Sequence, residues 1–411
     1  MKKRSLAIFL MSILSVILAF LTLCAINYPL DNPLSAQDRL TNTSHIAPKK
    51  LFLNSWKIIK KRYYDATLNH QDWDRWKTRY IDKIESEEDA HLAINTMLAS
   101  LDDPYSRFLN ASEYSEQTTN IDSKIVGIGV NITSISGKIV IVNTVDSTPA
   151  HKAGIKAGDI LYKVDENDVN GKSVSEIAQL IRGEEGTTVT IQIIRNGKKL
   201  TKTLTRTQIT IKSVNHKILP ENIGYIQITS FLGTNVAEDF LASMASLNST
   251  RGLILDLRGN TGGLLPNAVL VADVFLNGGN IVSIVDRNGI KSDINAQGKA
   301  TAMNKPVIVL VDGATASASE IVSGALKDSN VAVLVGEKTY GKGMVQKIYP
   351  MPNQTGMNLT IAKYLTPNGS DINKKGIMPD YIIKYTEQDY FSKKDPQLEK
   401  AKTLMRKMCS L

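Results

Sequence analysis

Cysteine is almost missing from this chain of 411 residues: Cys24 sits in an apolar leader and Cys409 lies near the end. That distribution argues against an intrachain structural disulfide, even in an oxidising compartment. Histidine is sparse as well. His45, His70, His91, His151 and His216 are all there is, all precede residues 306–347, and none stands in a motif resembling a catalytic one. A nucleophile further along therefore needs another base. Blocks of like charge are also lacking: the net charge of +9 is spread, with Asp and Glu between the Lys and Arg residues. This is solvated surface, and it argues against a nucleic-acid partner. With 42% hydrophobic and 22% charged residues, the composition is that of an ordinary globular protein with room for two or three domains.

What is present begins with a leader. Met1-Lys2-Lys3-Arg4 precedes an apolar run from Leu6 to Ile26, interrupted by Ser12, Ser15 and Thr22. A basic start and such a run mark an exported protein. The run is long for a signal-peptide core and just long enough to span a bilayer, so cleaved signal and membrane anchor both remain open. Leu23 stands where a lipoprotein box has a small residue before its cysteine, which argues against lipidation of Cys24. Residues 27–50, with Pro29, Pro33 and Pro48, read as a linker.

Two reactive side chains stand out in residues 306–347. Ser317, in Thr-Ala-Ser-Ala-Ser-Glu, follows the apolar run Val307–Val311 and precedes a helical pattern through Ile321, Val322, Ala325 and Leu326. A serine at such a strand-to-helix turn can project its hydroxyl, with the first helical N–H groups nearby for a developing oxyanion. Lys342 lies between Gly341 and Gly343. A buried lysine can lose its proton near neutral pH, at a cost of roughly 4 to 5 kcal/mol, and then serve serine as base. Gly336-x-x-x-x-Gly341-Lys342 also approaches a P-loop. Gly343 replaces its Ser or Thr, however, and Met344–Tyr349 reads as a strand where a phosphate site needs a helix. A second glycine turn, Arg258-Gly259-Asn260-Thr261-Gly262-Gly263, joins the strand Gly252–Arg258 to a helix starting near Leu264. The N–H of Gly262 or Gly263 can join that of Ala318 in an oxyanion hole.

Ala-Thr-Ala-Ser-Ala-Ser-Glu followed by Gly-Lys-Gly resembles the carboxyl-terminal processing, or tail-specific, proteases, a PDZ-containing family of Ser-Lys peptidases, and its cyanobacterial and plastid members in particular. The resemblance covers about residues 51–404. It implies Ser317 as nucleophile, Lys342 as general base, Gln346 as the residue orienting that lysine, Glu320 as a supporting partner, and Gly262 ahead of Gly263 in the oxyanion hole. Ser319 is then not the nucleophile. Asp256 and Arg258 are expected to hold strand ends. In cyanobacteria and plastids the family processes the D1 protein of photosystem II, which is one candidate substrate.

The expected fold class is α/β, multidomain: a leader at 1–26, a linker at 27–50, helices at 51–118, a PDZ domain at 119–206, and a crotonase-like αβ protease core with a C-terminal helix at 207–411. In the helical part Leu53, Trp56 and Ile59, then Trp73, Trp76, Tyr80 and Ile84, then Leu92, Met97 and Leu98 recur at helical spacing. The tryptophans are expected in its core. Asp102-Asp103-Pro104 reads as a turn and cap. Pro149-Ala150 followed by Ala153-Gly154-Ile155-Lys156-Ala157-Gly158-Asp159-Ile160-Leu161 looks like a PDZ domain. Such a fold adds a peptide to a sheet edge and receives its terminal carboxylate on glycine-loop N–H groups. Here that loop is Val126, Gly127, Ile128, Gly129 and Val130, bordered by the stripe Val174, Ile177, Ala178 and Ile181. Arg182 ends that helix, to contact peptide or protease body or to offset the helix dipole. The expected function is an exported serine endopeptidase cutting proteins with free, unstructured C-termini. The resemblance implies no metal or organic cofactor. Oligomeric state is open. The rival reading is a catalytically inactive PDZ scaffold in the cell envelope; a crotonase-type hydratase is disfavoured by the PDZ module.

Overall fold

A computed structural model describes residues 46–121, 124–135, 137–210, 212–298, 305–386, 388–389, 392 and 394–410. The apolar leader, Cys24 and the linker up to residue 45 lie outside the described residues. Among those described, no helix is long and apolar enough to cross a membrane. The fold is mixed α/β, and the chain divides into two compact units: residues 118–212 with 232–234 form one, and the remainder forms the other.

The larger unit opens with helices Pro48–Arg62, Asp74–Tyr80 and Glu87–Ala99. Ser86 and Asp89 form a reciprocal capping box on the third. Leu51, Phe52, Ile59, Trp73, Trp76, Ile94, Met97 and Leu98 are buried in one core. Trp56 and Trp73 each donate an indole N–H to the other's carbonyl, at 3.0 and 3.2 Å. The aromatics are therefore packing, not a binding platform. Leu92 departs from its expected place: it is 67% exposed, and its neighbours Ala90, Ala93 and Ile94 face the core instead. Spacing alone did not distinguish the two faces of that helix. Strand β1 (Arg107–Leu109) and a helix Ala111–Ile121 follow.

The smaller unit holds β2 (Lys124–Gly127), β3 (Val130–Ile135), β4 (Lys138–Thr144), β5 (Ile160–Val164), β6 (Asn167–Asp168), β7 (Thr188–Arg195), β8 (Lys198–Thr205) and β9 (Thr207–Thr210). Its sheet runs β3-β4-β5-β7-β8 with β6 on β5, and β2 pairs with β9. The helix Val174–Ile181 packs against β3 and β5. Alternation along β7 puts Val189, Ile191 and Ile193 into the core.

The rest of the larger unit contributes β10 (Val214–Leu219), β11 (Ile223–Ile228), β12 (Gly252–Asp256), β13 (Asn280–Asp286), β14 (Lys291–Asn295), β15 (Val307–Val311), β16 (Ala332–Gly336), β17 (Met344–Pro350), β18 (Gly356–Leu365) and β19 (Tyr381–Ile382). One sheet runs β10-β11-β12-β15-β16-β19, parallel from β11 onward. Every residue of β12 and of β15 is buried, as a parallel sheet covered on both faces demands. Each fully buried Val, Leu or Ile there contributes about 1.5–3 kcal/mol. One face packs on the helix Ala318–Asp328, buried from Ala318 to Leu326. The other face packs on the helix Pro396–Met408 through Ala401 and Met405. A second sheet is centred on β18, which pairs with β1, β13 and β17. It places β1 and β17, which directly follows Lys342, on either side of β18.

Candidate active site

The serine turn is fixed from both ends. Beyond β15, the Asp312 carboxylate accepts from the N–H groups of Ala314 (3.0 Å), Thr315 (2.9 Å) and Gly259 (3.0 Å). Thr315 Oγ1 donates to Leu257 O at 3.0 Å, and Ser319 Oγ and Ala316 N–H donate to Asn260 O at 2.9 and 3.0 Å. The glycine turn after β12 and the serine turn after β15 are thus stitched into one body. Ser317 itself has φ +56° and ψ −117°, a conformation that costs a non-glycine residue about 1–3 kcal/mol and persists only where its surroundings impose it.

Glu320 supplies much of that constraint. It is fully buried, and its carboxylate accepts from Ser317 N–H and Lys342 N–H, both at 2.9 Å, from Gly341 N–H at 2.8 Å and from Thr339 Oγ1 at 2.6 Å. One carboxylate therefore grips the backbone of the serine turn and of the lysine loop together, through charge-assisted bonds. Tyr364, on β18, adds a second tie: its hydroxyl faces Ser317 O at 3.1 Å and Lys342 O at 2.6 Å. Burial, with Glu320 and Tyr105 nearby, pushes the Tyr364 phenol well above its usual range, so it stays a donor.

The glycines flanking Lys342 answer to packing. A Cβ on Gly341, at φ +92°, would lie 2.7 Å from Gly376 N, and one on Gly343 would lie 2.8 Å from Asn373 N. Residues 344–350 then form β17, in place of the helix that a phosphate loop would need. The near P-loop pattern is a by-product of this close approach.

Burial holds the Lys342 amine below the ordinary lysine range, while Asp103 and Glu320 pull it partly back. The amine lies over the ring of Tyr105, whose centroid is 4.8 Å from Nζ. Among the described residues, Nζ makes no hydrogen bond or ion pair, with Ser317 or with any other group. Gln346, expected to orient the lysine, donates its amide NH₂ to Thr360 Oγ1 at 3.4 Å. Thr360 belongs to a chain of contacts with the start of the molecule: Ser106 Oγ accepts from Thr360 N–H at 3.0 Å and donates to Asp103 at 2.6 Å. The Asp103–Ser106 turn, read from sequence as punctuation, is a wall of the site.

At the glycine turn, a Cβ on Gly262 would lie 2.8 Å from Ala316 O and 2.9 Å from Ser317 Cβ, so only glycine lets the loop approach Ser317. The Gly262 N–H, however, is occupied by Asn260 Oδ1 at 2.9 Å. Among the described residues, the N–H groups of Gly263 and Ala318 have no such partner. Asp256 and Arg258 do hold elements in place: Arg258 pairs with Asp256 at 2.7 Å and with Asp395 at 2.9 Å, the residue that caps the final helix.

In the smaller unit, Val126 and Gly127 end β2, Ile128 and Gly129 form the link, and Val130 opens β3, the outer strand of its sheet. Gly129 has φ +82°, and a Cβ there would overlap the Thr148 side chain at 2.2 Å. Arg182 closes the helix Val174–Ile181, but the carbonyls at that end are met by Arg206, whose guanidinium donates to Ile181 O at 2.9 Å and Leu180 O at 3.2 Å. Asp159 of the Ala-Gly-Asp run is bound at 2.6 Å by Arg195 and so has a structural part. Tyr105, Tyr364 and Arg206 escaped sequence reading. The one available signal was for Tyr105, which directly follows the Asp102-Asp103-Pro104 turn.

Known families and structures match this arrangement. Residues 222–383 match the peptidase family S41, residues 126–205 the PDZ domain, and residues 48–99 the tricorn protease C1 domain. A carboxyl-terminal-processing protease of Synechocystis is 36% identical over 346 residues, 82% of this chain and 81% of that protein. A carboxy-terminal processing protease of Bacillus subtilis is 37% identical over 335 residues, 80% of this chain and 71% of that one. A solved structure titled photosystem II D1 C-terminal processing protease shares 33% identity, with a TM-score of 0.57, covering 83% of this chain and 94% of its own. The chain belongs to peptidase family S41, among the carboxyl-terminal-processing peptidases.

Proposed function

We propose that the chain is an exported serine endopeptidase that captures the free C-terminal tail of a protein on its PDZ domain (residues 119–206) and cuts a nearby peptide bond in its core (residues 207–411). The observation that carries this reading is the Glu320 carboxylate, which holds the backbone N–H groups of Ser317 and Lys342 at the same distance, 2.9 Å. Ser317 Oγ attacks the scissile carbonyl. Lys342, kept easily deprotonated by burial, takes the hydroxyl proton and returns it to the leaving amine. Water then attacks the acyl-enzyme, with the amine again as base. The tetrahedral oxyanion is met by Ala318 N–H and the glycine turn, where Gly263 N–H is available at once and Gly262 N–H only on release from Asn260.

The leader, as signal peptide or anchor, carries the chain out of the cytoplasm, where the linker lets its body stand off the membrane. The tail carboxylate is received by the Val126–Val130 loop, and the tail adds as a strand beside β3. Ser317→Ala should lower hydrolysis of an unstructured protein substrate by at least about 10³-fold with little change in substrate binding. Hydrolysis persisting in that variant would leave the inactive-scaffold reading for this site and place any cutting elsewhere.

A further inference from the structure

Lys342 must reach Ser317 to act, yet its amine is held elsewhere. Among the described residues it has no hydrogen bond or salt bridge, and the group it touches is the ring of Tyr105, 4.8 Å from Nζ to centroid. Tyr105 is itself fixed. Its N–H donates to Asp103 Oδ1 at 3.0 Å, and the other oxygen of that carboxylate accepts from Ser106 Oγ at 2.6 Å. Ser106 in turn receives Thr360 N–H from β18, so the ring is anchored to the same sheet that carries β17 away from Lys342. A ring face attracts an ammonium and not a neutral amine. The contact thus favours the charged, non-basic form and opposes burial.

We propose that Tyr105 is a positioning residue whose ring face is the resting seat of the Lys342 ammonium, and that the amine leaves this seat as it gives up its proton and turns to Ser317. This deepens the Ser-Lys reading and rests on it. The groups that bear on the amine are few. Asp103 and Glu320 favour its charged form from the turn and from the nucleophile helix. Tyr105 stays neutral, its phenol pushed up to about 12 by burial and then by Tyr340 and the nearby carboxylates. Gln346 and Thr360 are uncharged. Losing the ring face therefore removes one of three influences that keep the lysine protonated.

The test compares Tyr105→Leu, which keeps an apolar side chain without a π-face, with Tyr105→Phe, which keeps the face and loses the hydroxyl. The first readout is the pH dependence of Lys342 acetylation by acetic anhydride, followed by mass spectrometry of its peptide, in the Ser317→Ala enzyme. Leucine should lower the midpoint by about one pH unit, and phenylalanine should leave it in place. The seat is overturned if leucine leaves the midpoint unmoved or raises it, or if phenylalanine moves it as far as leucine does. The second readout is the acid limb of kcat/KM in the enzyme with Ser317 intact. If that limb follows the acetylation midpoint, seat and base are one lysine. If acetylation shifts and the limb does not, the seat stands and the assignment of Lys342 as base fails.

Discussion

The two sites of this molecule are made of different material. In the larger unit, the candidate site is built on side chains fixed by buried charge: Glu320 accepts four hydrogen bonds with no exposed surface, and Tyr364 ties two carbonyls. In the smaller unit, the expected recognition element is backbone, a glycine link and an outer strand, with side chains such as Arg206 and Asp159 serving the scaffold. A site of the first kind fails when one atom changes. The second kind tolerates most substitutions and responds to the chemistry of the ligand's terminus.

That contrast can be broken most readily at Glu320. Glu320→Gln keeps the shape but replaces one acceptor oxygen with an amide NH₂, leaving backbone N–H donors of the serine turn or lysine loop unpaired. The expected cost is about 2–3 kcal/mol of stability and about 10²-fold in kcat, because Ser317 and Lys342 lose their common anchor. Chemical denaturation and steady-state kinetics check both; a variant of unchanged kcat would make Glu320 a folding residue alone. A smaller effect is expected from the other unit. Amidating the C-terminal carboxylate of a substrate should raise KM by about tenfold while kcat holds, as expected when a charge-assisted bond to backbone N–H groups is lost. Equal KM for acid and amide would mean that the outer strand does not read the tail's end. The smallest effect belongs to Tyr364→Phe, which removes one shared hydroxyl and should lower kcat by about three- to tenfold, with KM unchanged. A rise in KM alone would put the hydroxyl in substrate contact.

The same contrast explains what the sequence could tell. The placement of Ser317 and Lys342 was legible because each sits at a junction with a local signature, an apolar strand before a turn or glycines around a lysine. The PDZ run was legible for the same reason. Tyr105 and Tyr364 were not, since their meaning arises only when β18 and β1 pair, and the Ser106–Thr360 contact that fixes this wall joins residues 254 positions apart. Gly262 is where the glycine turn comes closest to Ser317 only because it lacks a Cβ. Which of two adjacent N–H groups is left unpaired depended on where Asn260 pointed, and no periodicity reports a side-chain rotamer. Leu92 fits the helical spacing yet faces solvent, while Ala90, Ala93 and Ile94 take the core side of that helix.

The most direct test of a lysine-activated serine is the rate at which a fluorophosphonate labels Ser317 as a function of pH, with the modified peptide identified by mass spectrometry. The rate should rise about tenfold per pH unit and level off below the ordinary lysine range, in keeping with the downward shift that burial imposes on Lys342, and Lys342→Ala should abolish the rise. Labelling of Ser317 that is independent of pH, or that keeps its pH dependence without Lys342, would contradict it.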